Sequence, residues 1–156
     1  MTIQTQRCTI RDFEPGDIPR FMEYRNDAHW MRYQGYKGKT KEEYEQDLLG
    51  DSSLVRGTQF AIIHTTTGLL IGDIYLKQDD SLYWIGYTIH PAFARRGYAA
   101  ESVTAIMAWI AARVGSIIKA GVLPENTTSI KLLEKLRFSF AGKEDGELIY
   151  VFDTGG

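Results

Sequence analysis

Cys8 is the only cysteine in 156 residues, so neither an internal disulfide nor a cysteine-rich zinc site can hold this fold together. On a predicted core strand, it reads as a small buried hydrophobe rather than a nucleophile. The chain also lacks any stretch long and apolar enough to span a membrane. Its first residues, MTIQTQRCTIRDF, have no apolar core segment, so a signal peptide is not expected. There is no excess of positive charge: 18 Lys and Arg stand against 20 Asp and Glu, a formal net charge of -2. That argues against a nucleic-acid partner held mainly through phosphates. G-x-G-x-x-G is absent, which excludes the dinucleotide fingerprint, and Gly38-Lys39-Thr40 does not complete a Walker loop, because Tyr33 stands where G-x-x-x-x-G-K-[ST] needs its first glycine. No repeat, low-complexity tract or domain boundary is visible. What is present is ordinary: 44% apolar and 24% charged residues, close to the average soluble protein. The length allows one domain with a real core and is short for two. The expectation is one cytoplasmic domain over 1–156, with no bound metal.

Strand and helix signals alternate along the chain. RCTIRDF (7–13) alternates like a strand. Glu14-Pro15-Gly16-Asp17 turns the chain, and Asp17 is placed to cap a helix striped with Ile18, Phe21 and Met22. Residues 26–40 show no period and read as a loop or short helical pieces near a binding surface. Thr40 and Glu43 have capping-box spacing and open a second helix through about Leu49. QFAIIH (59–64), LLIGDIYL (69–76) and LYWIGYTIH (82–90) are three strands joined by short turns, the last stopped by Pro91. Val103, Ile106, Met107, Ile110, Ala111 and Val114 fall at helical spacing. SIIKAGVL (116–123) is a strand, and Ser129 to Leu136 is a short helix with Ile130, Leu133 and Leu136 facing inward. SFAGK and ELIYVFD, joined across Asp145-Gly146, form a closing hairpin. The order β-α-α-β-β-β-α-β-α-β-β predicts an α+β fold around one mixed, mostly antiparallel sheet flanked by helices.

The chemistry concentrates in IGYTIHPAFARRGYAAESV (85–103). A strand ends at a proline, a short basic loop with Gly97 follows, and a helix opens directly from it. The first turn of a helix offers free N–H groups and partial positive charge. Gly97, Ala99 and Ala100 allow close approach, and Arg95 and Arg96 can supply countercharge to phosphate oxygens. Together these describe a pyrophosphate cradle. The same residues also suit a merely solvated loop before a helix.

This segment resembles the acyl-CoA cradle of the GNAT superfamily of N-acetyltransferases. LLIGDIYL resembles the strand that precedes the family's cofactor strand, and ENTTSIKLLEKLRF resembles the helix that follows it. TIRDFEPGDIPRFMEYRND is similar to the first strand and substrate-side helix. The likeness covers nearly the whole chain and is nearest to the branch holding ribosomal-protein N-acetyltransferases. It implies that acetyl-CoA is the co-substrate and an amine the acceptor, with a homodimer left open. It further implies that the pantetheine arm pairs with the strand ending near Ile89. The pyrophosphate would sit on Arg95, Arg96, Gly97, Tyr98, Ala99 and Ala100, Asn126 would meet the pantetheine amides, and Ser129 would lie near the cofactor sulfur. The strands 82–89 and 116–122 would splay after Pro91, leaving backbone groups that an amide-rich ligand can satisfy. Four positions depart from the family pattern. Ala94 stands where many members have Gln or Arg, and Arg137 where a helix-ending glycine is usual. Trp84 replaces a glutamate that often serves as base, and Leu133 replaces a tyrosine that often serves as acid.

Among the remaining candidates, Asp73 can be a base or bind a cationic amine, or can be an outward-facing strand residue. Ser129 is an auxiliary group near the leaving sulfur. His90, beside Pro91, suits a structural role more than that of a base, and His29 and His64 show no partner spacing. Trp30, Tyr33 and Tyr36 either line an acceptor pocket or pack. Glu42, Glu43, Glu45 and Asp47 read as a solvated helix face, although their acidity would also suit an ammonium substrate. Two functions remain: an acetyltransferase acting on a primary amine, and a non-catalytic acyl-CoA-binding module with the same fold.

Overall fold

In the computed structural model, residues 1–113 and 116–155 are described, which leaves Val114, the last residue of the helical stripe, outside them. Alternating apolar residues build one eight-stranded sheet in the order β1-β2-β3-β4-β5-β6-β8-β7. Its strands are β1 (Ile3–Gln4), β2 (Cys8–Arg11), β3 (Thr58–His64), β4 (Leu70–Asp79), β5 (Leu82–Ile89), β6 (Ile117–Val122), β7 (Ser139–Glu144) and β8 (Glu147–Asp153). Every pairing is antiparallel except β5 with β6. The four α-helices are α1 (Ile18–Arg25), α2 (Lys41–Leu48), α3 (Tyr98–Ala111) and α4 (Thr127–Lys135). This is the expected order with one addition, the two-residue β1, too short to carry a period.

The period of two divides the core. Ala61, Ile63 and Leu70 pack with Ile18, Phe21 and Tyr24 of α1 and Tyr44 of α2. Phe60, Ile62, Ile74 and Leu76 face the other way, into a larger cluster with Val103, Ile106 and Ile110 of α3 and Leu133 of α4. Burying large apolar side chains on both faces stabilises the sheet by roughly 1.5–3 kcal/mol for each one fully buried. Cys8 is fully buried in the larger cluster, and burial raises its thiol pKa, as suits an inert core residue.

Local signals set the element ends. Thr40 Oγ1 accepts from the Glu43 amide and Glu43 Oε1 accepts from the Thr40 amide, completing the capping box. The turn between β7 and β8 has positive φ at both Asp145 (49°) and Gly146 (82°), the signature of a type I′ hairpin. Asp17 is a correction. Its side chain makes no cap bond to α1. Its carboxylate instead accepts from the Glu14 amide and from Arg11 Nη1, at 2.8 and 2.7 Å. A short 3-10 turn over Pro15–Asp17 leads straight into α1, so the carboxylate points back toward β2.

Candidate active site

The site lies where β5 and β6 part. Only Leu82↔Ile117, Tyr83↔Ile118 and Trp84↔Lys119 are paired. Beyond Trp84, β5 stays with β4 through Ile89, and β6 stays with β8 through Val122. The opening was expected after Pro91, and it begins several residues earlier. β6 keeps its full register with β8 and follows that strand away from β5, leaving one backbone edge of each without a strand partner.

A cavity of about 390 Å³ occupies this gap. Ile89, Arg95, Gly97, Tyr98, Ala99, Ala100, Asn126 and Ser129 all line it. Arg96 does not. Its guanidinium lies 5.7 Å from the Phe93 ring centre, and its carbonyl accepts from Arg7 Nη1 at 3.0 Å.

Backbone geometry explains the cradle. Arg95 (φ 63°) and Gly97 (φ 82°) are both left-handed, a sharp turn that lets loop amides converge on an anion. Gly97 is the N-cap of α3 and has no side chain to satisfy the first-turn amides. Those donors, beside Arg95, fit a pyrophosphate. Arg7 supports the turn from across the sheet, a role the sequence did not show. Its Nε donates to Glu101 Oε1 at 2.7 Å and its amide to Glu101 Oε2 at 2.8 Å. Burial works to raise the Glu101 pKa, but the hydrogen bonds from Thr5 and Arg7 outweigh it and hold the carboxyl low.

On the far wall, Asn126 Oδ1 accepts from the Ser129 amide at 3.3 Å and caps α4. Tyr87 reaches across from β5, and its hydroxyl lies 2.8 Å from Ser129 Oγ. Burial raises the Tyr87 phenol to about 12. Trp30 also lines the cavity, with Nε1 donating to the Ile89 carbonyl at 3.0 Å. Gln34, Tyr87 and Thr88 form the shared wall with a second cavity of about 460 Å³. The cradle, the parted strands and the hydroxyl pair thus converge on one cleft.

The family model described as "Acetyltransferase (GNAT) domain" matches residues 7–139. The chain belongs to the GNAT acetyltransferase family. It is 30% identical over 165 residues to an uncharacterized N-acetyltransferase, p20, of Bacillus licheniformis, covering 97% of this chain and 93% of the relative. Among solved structures, an acetyltransferase of the GNAT family from Bacillus anthracis is similar at 24% identity, with TM-score 0.87 and all of both chains covered. The ribosomal L7/L12 alpha-N-protein acetyltransferase RimL, solved in complex with coenzyme A, has TM-score 0.80 at 15% identity, with 98% of each chain covered. These likenesses confirm the fold and include the ribosomal-protein branch.

Against the GNAT pattern, the catalytic candidates fall in different places. Ser129 lies in the cleft, whereas Asp73 lines neither cavity. Asp73 is fully buried, with Oδ1 accepting from Arg25 Nη2 at 2.5 Å and Oδ2 accepting from the Tyr24 hydroxyl. Leu133 is buried in the core, and Trp84 sits at the last β5–β6 pair. His90 Nδ1 accepts from the Ala92 amide, a structural bond, and burial lowers its pKa. Tyr87 was missed because its importance depends on α4 lying opposite. The only signal in the sequence is a tyrosine two residues before Ile89 on β5.

Proposed function

We propose that the protein transfers an acetyl group from acetyl-CoA to a primary amine of a small molecule or of a peptide or protein N-terminus, by direct attack of the amine on the thioester. The observation that carries this reading is the position of the Tyr87–Ser129 hydroxyl pair. It stands where the cradle-bearing cleft meets a second cavity, at the edge of the parted strands.

Acetyl-CoA supplies an activated thioester. The protein's own residues have three tasks. The first turn of α3, with Arg95, holds the pyrophosphate. The β5 edge without a strand partner, up to Ile89, and the Asn126 side chain orient the pantetheine arm, and so bring the thioester to the hydroxyl pair. Tyr87, whose phenol is raised to about 12, keeps its proton at neutral pH and is a hydrogen-bond donor there. A thiol with a reference pKa of about 8.5 leaves as thiolate with little help, so a hydroxyl contact is enough. Removing the amine's proton is the harder demand, because an alkyl ammonium titrates near ~10.4. Asp73, fully buried between Arg25 and Tyr24 and lining neither cavity, is out of the amine's reach. Water at the open strand edge takes that part, and turnover rises with pH toward the amine's own pKa.

The test is thiol release from acetyl-CoA over a panel of amines, beside melting curves with acetyl-CoA, NAD and ATP. Acetyl-CoA should stabilise the protein well beyond the other two, by roughly 2.7 kcal/mol at about a hundred times its dissociation constant. Ser129→Ala should lower turnover by roughly tenfold or less, about 1.4 kcal/mol. Complete loss of turnover with normal acetyl-CoA binding would make the serine essential and this low-demand mechanism wrong. A second reading, a non-catalytic acyl-CoA-binding module, draws on Trp84 and Leu133 standing where the family's base and acid are usual. A full thermal shift without thiol release for any amine would favour it.

A further inference from the structure

The second cavity contains an unexplained set of polar atoms. It lies on the α1–α2 side of the sheet, between Arg25, Gln34, Tyr36, Gln59, Tyr75 and Thr88. Five buried side-chain polar atoms have no hydrogen-bond partner among the described residues, and three belong to this lining: Arg25 Nε, Gln59 Oε1 and Thr88 Oγ1. An unpaired buried polar group costs about 1–3 kcal/mol, a cost that a ligand in this cavity would offset at three residues of its lining if it supplied their partners. Arg25 is 3% exposed and Thr88 8%. Arg25 is otherwise satisfied, with Nη1 donating to the Tyr36 carbonyl and Nη2 donating to Asp73.

The three atoms specify chemistry. Arg25 Nε–H needs an acceptor, Gln59 Oε1 needs a donor, and the Thr88 hydroxyl can serve as either. Arg25 and Asp47 are the only charged residues in the lining, and Arg25 is already paired with buried Asp73, so the lining holds no unpaired positive charge. Asp47 Oδ2 already accepts from the Tyr36 hydroxyl at 2.8 Å. A polyamine would bring donors only and leave Arg25 Nε without a partner. A free carboxylate would bring acceptors only and leave Gln59 Oε1 without a donor. A neutral amide brings one of each.

Access to the chemistry is through the shared wall of Gln34, Tyr87 and Thr88. Gly86, also in the lining, keeps the floor open: a Cβ there would meet Tyr75 Cβ at an ordinary 3.6 Å. A larger side chain at this strand position can therefore be accepted by the backbone while filling the cavity.

We infer that this cavity is the acceptor site and that it selects an amine carrying a neutral amide close to the amino group. The amide sits on Arg25, Gln59 and Thr88, and the amine points toward Tyr87. Two sources share that chemistry: a small amino amide and the first residue of a peptide. The amine's fate rests on the acetyl-transfer reading above, whereas the amide's seat does not.

The experiment is calorimetric titration of alaninamide, an alanine-initiated hexapeptide amide and spermidine into protein saturated with coenzyme A. It is run for the wild type, Gln59→Leu and Gly86→Val, with melting curves to confirm folding. Both amides should bind the wild type more tightly than spermidine. Each substitution should weaken amide binding at least tenfold while leaving the acetyl-CoA thermal shift intact. Equal affinity for the two amides identifies the small molecule as sufficient, and much tighter binding of the hexapeptide identifies a peptide end. Tighter binding of spermidine than of either amide, no binding of either amide at millimolar concentration, or unchanged amide affinity in folded Gly86→Val would overturn the inference. Thiol release is read separately. An amide that binds as described but is never acetylated would overturn the transfer reading and leave the seat in place.

Discussion

Asp73 and Arg25 are the residues whose surroundings most change their meaning. A carboxylate on the strand beside the cofactor strand looks available for proton transfer. In the folded chain it is fully buried, facing a guanidinium on α1 with a tyrosine hydroxyl on its second oxygen. The carboxylate compensates the arginine, and the arginine in turn lines the second cavity. Breaking a buried pair by neutralising one partner leaves an uncompensated charge, which costs about 3–5 kcal/mol. Asp73→Asn is therefore expected to lower the melting temperature by on the order of 10 °C in a chain of this length. Below that temperature, the acidic limb of its pH–rate curve should match the wild type. A normal melting temperature with a flattened acidic limb would instead identify Asp73 as the base.

At the scale of single elements, the end of α4 shows how a local motif tolerates an unusual residue. The Phe138 amide donates to the Leu133 carbonyl at 2.9 Å and the Arg137 amide donates to the Glu134 carbonyl at 3.0 Å. These two bonds are the Schellman motif, and buried Leu133 and Phe138 give its apolar contact. The motif puts Arg137 at φ 72°, in the left-handed region that glycine favours. A side chain held there costs roughly 1 kcal/mol, while glycine loosens the unfolded chain by a comparable ~0.4–1 kcal/mol. Arg137→Gly should accordingly be neutral or mildly stabilising in chemical denaturation. A loss above about 1 kcal/mol would mean that exposed Arg137 makes stabilising contacts that the motif does not account for. The first turn of α3 is the converse case. There the cap is a glycine, and the amides it leaves without a side-chain partner are the donors we propose for the pyrophosphate.

Taken whole, the molecule places phenols on both sides of the sheet in surroundings that keep them protonated. Burial pushes Tyr24 well above 10 on the α1 side and Tyr87 to about 12 in the cleft. The sign follows from linkage. A group whose folded pKa is raised contributes its full stability below the unfolded value, near ~10 for tyrosine, and loses it as pH rises toward the folded value. The melting temperature should hold level up to about pH 9.5 on this scale and fall between about 10 and 12. Tyr87→Phe should make that alkaline fall shallower, because phenylalanine has no proton to lose. Identical slopes for the two proteins would show that the Tyr87 phenol is not held neutral by the fold.

The sequence by itself determined whatever depends on neighbours in the chain. The alternation in QFAIIH and LYWIGYTIH, the Thr40–Glu43 box, the Asp145-Gly146 turn and the Arg95–Gly97 loop each act within a few residues. The element order and the lining from Arg95 to Ala100, Arg96 excepted, follow from such signals, whereas Ile89, Asn126 and Ser129 were expected from the family resemblance. Arg96 shows their limit, since a loop's composition does not say which of two adjacent arginines turns inward. Tertiary structure decided whatever depends on partners far along the chain. Arg25 meets Asp73 across 48 positions, Tyr87 meets Ser129 across 42, and Arg7 meets Glu101 across 94. The point where β5 and β6 part depends on β6 following β8, which only sheet assembly can set. The role of a carboxylate or a hydroxyl is fixed by what the fold brings within hydrogen-bond reach, and no local pattern records that distance.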